Sequence, residues 1–243
     1  MISCQELNQK PCYQLMFHLG LADIIQLIVL AICGPMVIAQ TDLFYWLSKT
    51  LGAIANASWT SYVAFTAAIA FNRFSFHYLP AHWMEIFSAR NTRIWIGLCW
   101  GCGVTFLLLY LNPGSGLRVF PTEYCIAYDK SLPQTEVVQA IEFWLNGVFL
   151  LSLALVFYIA MMHKIRAIHS MMGELDGAEN RRREVRLAIQ VVIIWCSASF
   201  LLCFWHVYHY FMAEHRLTYF ALQMLWIMNC GINPLLYVTM NQY

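Results

Sequence analysis

Long stretches without a single acidic or basic residue alternate with short polar connections along the chain. Such windows are typical of helices that cross a bilayer, because a span needs about 20 predominantly apolar residues. Five windows lack Asp, Glu, Lys and Arg altogether, and a sixth near the N-terminus is interrupted only by Asp23. The predicted spans are residues 13–39, 50–72, 94–112, 143–163, 187–213 and 217–240.

The six spans predict an all-α fold, a polytopic transmembrane helix bundle that forms one domain over residues 1–243. In lipid every backbone amide needs a partner within the protein, and a helix supplies it within its own segment. No internal repeat divides the chain. The connection 113–142 contains several Pro and Gly residues, so we predict a loop there.

Composition supports the membrane class. Hydrophobic residues make up 60% of the 243 residues and charged residues 11%, whereas soluble domains carry about 25% charged residues. The net charge of +1 provides no basic field for phosphates, so no nucleic-acid partner is predicted. The lipid bilayer is the first partner that the sequence predicts.

The distribution of basic residues predicts the orientation. Ten Lys and Arg residues fall on the face that carries both termini, and four fall on the opposite face. Because basic loops stay in the cytoplasm, both termini of this chain are predicted to be cytoplasmic.

Asp23 is the only charged residue inside the predicted spans. An ionisable group at that depth costs at least about 2.5 kcal/mol, so it normally faces the bundle and has a partner. Asn229 and Asn233 are four residues apart and share one face of the last span. We predict an intramembrane polar network of these three residues. The alternative is a buried, protonated carboxyl with a purely structural role.

Two further features lie near the cytoplasmic ends of spans. Arg73 follows Asn72 at the end of the second span, where an Arg taken alone is best explained by snorkelling to lipid headgroups. Pro234 interrupts the last span between Asn233 and Tyr237. A proline there frees a backbone carbonyl and kinks the helix.

In this order and spacing, these features resemble the seven-helix G-protein-coupled receptors. Residues 229–237 resemble the NPxxY signature of the last helix, and residues 19–23 resemble the LxxxD motif of helix two. Residues 72–74 occupy the position of the DRY motif in helix three, with Asn in place of the acid. A narrower resemblance, carried by residues 12–20 and 59–62, is to the nematode serpentine chemoreceptors of class T (Srt).

The resemblance implies a chemosensory receptor that binds a small ligand from outside and signals to a heterotrimeric G protein. It implies the plasma membrane, including that of a sensory cilium, no enzymatic activity and no cofactor. The activation switch that it implies comprises Asn72, Arg73, Asn233, Pro234 and Tyr237. Candidates for the ligand cavity are Trp59, Tyr62, Trp205, His206 and His209.

The chain departs from the receptor pattern in its helix count. Receptors of this type have seven helices, so the six spans are expected to be helices 2–7, with the first helix missing upstream of Met1. No Cys lies between Asp42 and Gly52, so Cys125 is expected to lack the usual disulfide partner. The alternatives are a small six-helix transporter or channel, and a receptor fragment that inserts without signalling.

Two other motifs have the spacing of a metal site and of a helix-packing site. His206 and His209 have a spacing that suits a metal, but no third ligand is evident, so no metal site is predicted. Gly97 and Gly101 allow close helix approach, which favours packing within the chain over dimerisation. No catalytic motif is present.

Overall fold

The structure is a computed structural model that describes residues 11–171, 178–211 and 216–240. A π-helical segment, Trp144–Leu151, joins the helices Thr135–Phe143 and Ser152–Met171 into one continuous rod. In chain order the helices are α1 Pro11–Ile38, α2 Tyr45–Tyr78, α3 Pro80–Ile86, α4 Ala89–Leu111, α5 Thr135–Phe143, α6 Ser152–Met171, α7 Ala178–Phe211 and α8 Arg216–Met240.

The architecture is the predicted all-α membrane bundle. Within the described ranges, four helical stretches are long and apolar enough to cross a membrane: Pro11–Ile38, Ala89–Leu111, Thr135–Lys164 and Ile189–Tyr208. The predicted spans 50–72 and 217–240 fall in α2 and α8. The membrane boundaries of all six spans remain predictions.

Helix α2 lies at the centre of the bundle and packs against α1, α4, α6 and α7. Between residues 51 and 70 every side chain is buried except Ile54 and Ala57, which are half-buried. Because other helices rather than lipid surround α2, polar side chains are tolerated along it. Fully buried Thr60 and Ser61 illustrate this.

Helix α4 approaches α2 most closely at Gly103. A Cβ at this position would lie 2.1 Å from Ser61 Oγ and 2.5 Å from the Ala57 carbonyl oxygen. The prediction that Gly97 and Gly101 pack within the chain is wrong, because a Cβ on either would meet nothing within 4 Å in the described structure. The two glycines lie on the exposed side of α4.

The connection 113–142 is more ordered than predicted. Strand β1, Leu117–Phe120, pairs antiparallel with β2, Cys125–Tyr128, and a 3-10 turn over Pro121–Glu123 joins them. Tyr124 adopts a left-handed conformation, with φ of 60°, to close the turn. Strands of four residues carry too short an alternation to stand out between Pro and Gly residues. Helix α5 also begins at Thr135, before the predicted span at residue 143.

The hairpin docks on the first turns of α2. Ser48 Oγ donates to the Val119 carbonyl oxygen and accepts from the Val119 amide, both at 3.0 Å. One turn later, Gly52 has no side chain, and the Leu117 carbonyl occupies the space where a Cβ would be, 2.2 Å away. Arg118 forms ion pairs with Asp42 at 3.6 Å and with Asp129 at 2.9 Å. These contacts fix the hairpin across the outer end of the bundle.

The hairpin is held without a disulfide in the described part of the chain. Cys125 is free and buried. Burial, followed by the nearby Glu123 charge, raises the pKa of the Cys125 thiol to about 12. The thiol therefore stays protonated at neutral pH and is a poor nucleophile.

Gly52→Ala is expected to destabilise the protein by about 1–3 kcal/mol, because the new methyl group would overlap the Leu117 backbone carbonyl, which cannot rotate away. Gly97→Ala is the matched control, since open space surrounds that position and Ala favours a helix. Thermal unfolding of the purified protein measures both. Equal midpoints for the two variants would contradict this docking geometry.

Candidate functional site

A cavity lies beneath the hairpin, at the end of the bundle opposite Arg73. Its volume is about 40 Å³, which is room for a few water molecules. Five elements contribute its walls: α2, the hairpin, α5, α7 and α8. The lining residues are Asn56, Trp59, Leu117, Tyr128, Glu142, Phe143, Leu201, Leu202, Trp205, His206 and Trp226. We refer to it as the inner cavity.

Among the residues that the structure describes, Glu142 is the only carboxylate that lines the inner cavity, and it is 3% exposed. Its Oε2 atom accepts three hydrogen bonds, from Asn56 Nδ2 at 2.8 Å, Tyr110 OH at 2.5 Å and Tyr128 OH at 3.2 Å. Donors directed at one carboxylate oxygen offset part of the cost of burying its charged form. Burial, and then the Glu142 charge, raises the pKa of the Tyr128 phenol well above its ordinary value, so this phenol remains a donor.

Aromatic rings from three helices enclose the cavity. The Trp226 ring meets Trp59 edge to face at 6.5 Å between centroids and Trp205 at 6.0 Å. Trp59 also stacks on Tyr62, with centroids 5.5 Å apart. Such arrangements are favourable between aromatic rings and hold them in defined orientations.

His206 closes the cavity on the α7 side. Its Nδ1 lies 2.9 Å from the Leu202 carbonyl oxygen, and its ring lies 4.6 Å from the Phe143 ring. A carbonyl oxygen only accepts hydrogen bonds, so Nδ1 carries a proton in this arrangement. The side chain of His209 lies outside the described structure. Among the described residues, no group of three or more His, Cys, Asp or Glu could hold a metal ion.

A wider outer vestibule, of about 700 Å³, adjoins the inner cavity. The two share Tyr128, Trp205 and His206 in their walls, so these three side chains form the boundary between them. Three acidic and two basic residues also line the vestibule: Glu123, Asp129, Glu136, Arg118 and Lys130. This is a funnel that narrows from a polar entrance to an aromatic chamber.

The predicted polar network lies deeper in the bundle. Asn233 Nδ2 donates a hydrogen bond to Asp23 Oδ2, and both residues are buried. The hydrogen bond expected between Asp23 and the last span is therefore present, through Asn233. Asn229 is 2% exposed and has no hydrogen-bond partner among the described residues, although it lies one turn before Asn233.

Two hydrogen-bonded or stacked pairs lead from the cavity towards this network. Trp226 Nε1 donates to Gln26 Oε1 at 2.7 Å, and Gln26 lies on α1 one turn from Asp23. On α2, Trp59 stacks on fully buried Tyr62. Tyr62 is close enough to Asp23 for the two side chains to interact electrostatically. Residues of α1, α2 and α8 therefore connect the cavity walls with the neighbourhood of the polar network.

Arg73 lies at the opposite end of α2 from the hairpin. From Ser48 to Arg73 the helix rises by about 38 Å, which exceeds the hydrocarbon thickness of a bilayer. Arg73 is half-buried, and its Nε has no hydrogen-bond partner in the described ranges. The neighbouring Asn72 is 1% exposed. Pro234 lies within α8, whereas the Tyr237 side chain lies outside the described structure.

The predicted cavity residues divide into three groups. Trp59, Trp205 and His206 line the inner cavity, Tyr62 stacks behind Trp59, and the His209 side chain is not described. Glu142 is not among the predicted site residues, because the charge-free window that defines the fourth span begins one residue after it. The helical start at Thr135 is the signal that would have placed this carboxylate inside the bundle.

Comparison with known proteins gives one result that covers nearly the whole chain. A family model described as serpentine type 7TM GPCR chemoreceptor Srx matches residues 15–241. No curated protein gives a significant match. The expected serpentine chemoreceptor is therefore confirmed at the level of the family group, whereas the class T assignment is not.

Glu142→Leu is expected to lower the free energy of unfolding by about 3 kcal/mol or more. The substitution leaves the donors of Asn56, Tyr110 and Tyr128 without their acceptor, at a cost of about 1–3 kcal/mol each. Glu142→Gln keeps an acceptor oxygen and is the matched control, with less than half that loss. Chemical or thermal unfolding in detergent compares them, and equal losses for Leu and Gln would contradict the bonding described.

The Asp129 ion pair predicts a pH dependence. Burial alone would raise the pKa of Asp129, but hydrogen bonds from Ser131 and the Arg118 charge outweigh it and lower the pKa. A carboxylate with a lowered pKa stabilises the fold above its unfolded pKa near about 3.9, and this stabilisation is lost as the pH falls further.

We therefore expect Asp129→Asn to be less stable than the original chain at pH 7 and to approach it as the pH falls below about 4. Unfolding midpoints measured from neutral to acidic pH test this. Parallel pH profiles for the two proteins would show that the Asp129 carboxylate contributes nothing.

Proposed function

Because the chain belongs to the serpentine type 7TM GPCR chemoreceptor Srx family, we propose that it is a chemosensory receptor that transmits ligand binding to a heterotrimeric G protein. The observation that carries this proposal is the funnel beneath the hairpin. Ligand sites are concave and mostly apolar with a few directed polar groups, and the vestibule and the inner cavity have this composition. The class T likeness of residues 12–20 and 59–62 remains a prediction beside the family match.

The ligand enters from the outer face through the vestibule and moves past Tyr128, Trp205 and His206. The inner cavity is small in this conformation, so a ligand must displace its aromatic walls. Displacement of Trp226 changes its hydrogen bond to Gln26, and displacement of Trp59 changes its stacking on Tyr62. Both changes reach the side of the bundle that holds Asp23.

The polar network is the element with two arrangements. Asp23 Oδ1, Asn233 Oδ1 and both polar side-chain atoms of Asn229 have no partner among the described residues. Because the network contains more polar atoms than hydrogen bonds, its side chains can exchange hydrogen-bond partners when α8 moves against α1. A ligand that binds one arrangement better than the other shifts the equilibrium between them.

The cytoplasmic readout lies at Asn72, Arg73 and the segment from Asn233 through Pro234 to Tyr237. A guanidinium is always charged and donates in several directions, which suits exchange between a partner within the bundle and the carbonyl groups of a G protein. The half-buried position of Arg73 supports this role, because a purely snorkelling side chain would be exposed.

The same proposal places the chain in the plasma membrane, including that of a sensory cilium, with both termini of the chain in the cytoplasm. Helices α1, α2, α4, the rod from α5 to α6, α7 and α8 then correspond to helices 2–7 of the receptor fold. The positions of Asp23 on α1 and Pro234 on α8 support this correspondence.

Arg73→Ala is expected to abolish G-protein activation while leaving surface expression intact, because an Arg at the end of a span contributes little to insertion. The measurement is agonist-stimulated nucleotide exchange on the G protein, at matched surface levels, with an agonist selected by screening the original chain. Arg90→Ala is the control, since Arg90 is exposed on α4 at the same end of the bundle.

The screen itself tests the outer half of the proposal. An agonist should be less potent on the Trp205→Ala variant, in which part of the cavity wall is missing. It should bind the Arg73→Ala variant with unchanged affinity. Unchanged nucleotide exchange in Arg73→Ala, or equal losses in Arg73→Ala and Arg90→Ala, would contradict the proposed readout.

A further inference from the structure

The inner cavity contains a buried carboxyl group without a counterion. No Lys or Arg is among its lining residues, and no residue of the described structure forms a salt bridge with Glu142. A buried carboxylate is normally paired with a cation or coordinates one, because an unpaired buried charge is costly. Three neutral donors hold Glu142, but neutral donors do not cancel its charge.

The Glu142 carboxyl group is also held in one orientation. All three hydrogen bonds go to Oε2, and no described residue donates to Oε1, although Glu142 lines the cavity. The donors come from α2, α4 and β2, so the carboxylate is fixed from three sides and cannot easily turn away. A fixed carboxylate with one unbonded oxygen at a cavity wall is suited to accept a hydrogen bond or a charge from a bound molecule.

Aromatic faces surround the same space. Trp59, Trp205 and Trp226 come together within centroid distances of 6.5 Å and 6.0 Å, and Tyr128 and Phe143 complete the wall. The faces of Trp and Tyr rings carry negative potential and attract cations, and cages of such rings recognise alkylated ammonium groups. Carboxylate and rings therefore favour the same type of ligand.

We propose that the inner cavity binds the ammonium group of a small organic cation, with the rest of the ligand in the outer vestibule. This deepens the proposed function and rests on it for the role of the cavity as the ligand site. The ammonium lies between the Glu142 carboxylate and the faces of Trp59, Trp205 and Trp226. The boundary residues Tyr128 and His206 contact the portion that joins it to the vestibule.

The vestibule is compatible with the approach of a cation. Its walls contain three acids and two bases, and Arg118 is already engaged by Asp42 and Asp129. An anionic ligand would instead meet Glu142 in a region of low dielectric constant, where like charges repel strongly. A neutral ligand would gain the aromatic contacts but would leave the carboxylate without a counterion.

The test compares cations with uncharged molecules of the same shape. The probes are choline with 3,3-dimethyl-1-butanol, and phenyltrimethylammonium with tert-butylbenzene. The full chain is reconstituted in nanodiscs, and binding is measured by calorimetry and by the shift in thermal unfolding. We expect each cation to bind at least about tenfold more tightly than its neutral isostere, the effect of one charge-assisted contact.

Glu142→Gln keeps the shape and an acceptor oxygen, and it should remove this preference for the cations. Glu85→Gln is the control, because Glu85 is an exposed acid on α3 that lines neither the vestibule nor the inner cavity, and the preference of this variant for the cations should change by less than about threefold. Trp205→Leu should weaken cation binding more than Trp205→Phe, because Phe retains an aromatic face.

Equal binding of cations and isosteres by the original chain would overturn the inference, as would absence of binding by all four probes. A preference that survives Glu142→Gln would overturn it too. None of these results touches the proposed signalling, which the Arg73→Ala comparison reads independently. Glu142-dependent cation binding combined with normal signalling in Arg73→Ala would support the inference and contradict the proposed readout.

Discussion

One carboxylate oxygen joins four elements of this bundle. Glu142 Oε2, on α5, accepts hydrogen bonds from Asn56 on α2, Tyr110 on α4 and Tyr128 on β2. Burial of a carboxylate is unfavourable unless its lone pairs are satisfied, so the three donors must stay close together for the fold to keep Glu142 inside. The relative positions of the central helix, the hairpin and the start of α5 follow from that requirement. The inner cavity exists where these elements meet.

The hairpin closes the outer end by close contact rather than by a covalent bond in the described structure. The Ser48 hydroxyl, on α2, forms hydrogen bonds with both the amide and the carbonyl group of Val119. Gly52 has no side chain, which leaves room for the Leu117 carbonyl to approach the α2 backbone. The Arg118 ion pairs also stabilise the docked hairpin, and high salt or low pH weakens this stabilisation. Contacts of this kind, unlike a disulfide, break and form again without redox chemistry.

The parts of the fold that lipid dictates were predictable, and the parts that neighbouring helices dictate were not. Charge-free windows place the spans because lipid excludes charge, and the rarity of a charge at depth led from Asp23 to its partner on α8. The same criterion excluded Glu142 from the predicted span, because a charge-free window cannot contain a glutamate. Glu142 nevertheless lies inside the bundle. Close packing was expected at Gly97 and Gly101 and occurs at Gly103, because a spacing motif does not reveal which face of α4 meets α2.

The central position of α2 explains how one helix takes part in both ends of the bundle. Its outer turns carry the hairpin contacts and Asn56, its middle carries Trp59 and Tyr62, and its inner end carries Arg73. A rigid helix transmits a small displacement along its whole length, whereas its polar side chains can change partners only where alternatives exist. The unbonded polar atoms of Asp23, Asn229 and Asn233 supply those alternatives midway between the cavity and Arg73. The proposed mechanism therefore assigns different roles to the two sites: the tightly bonded carboxylate would define what the cavity accepts, and the loosely bonded network would allow the bundle to respond.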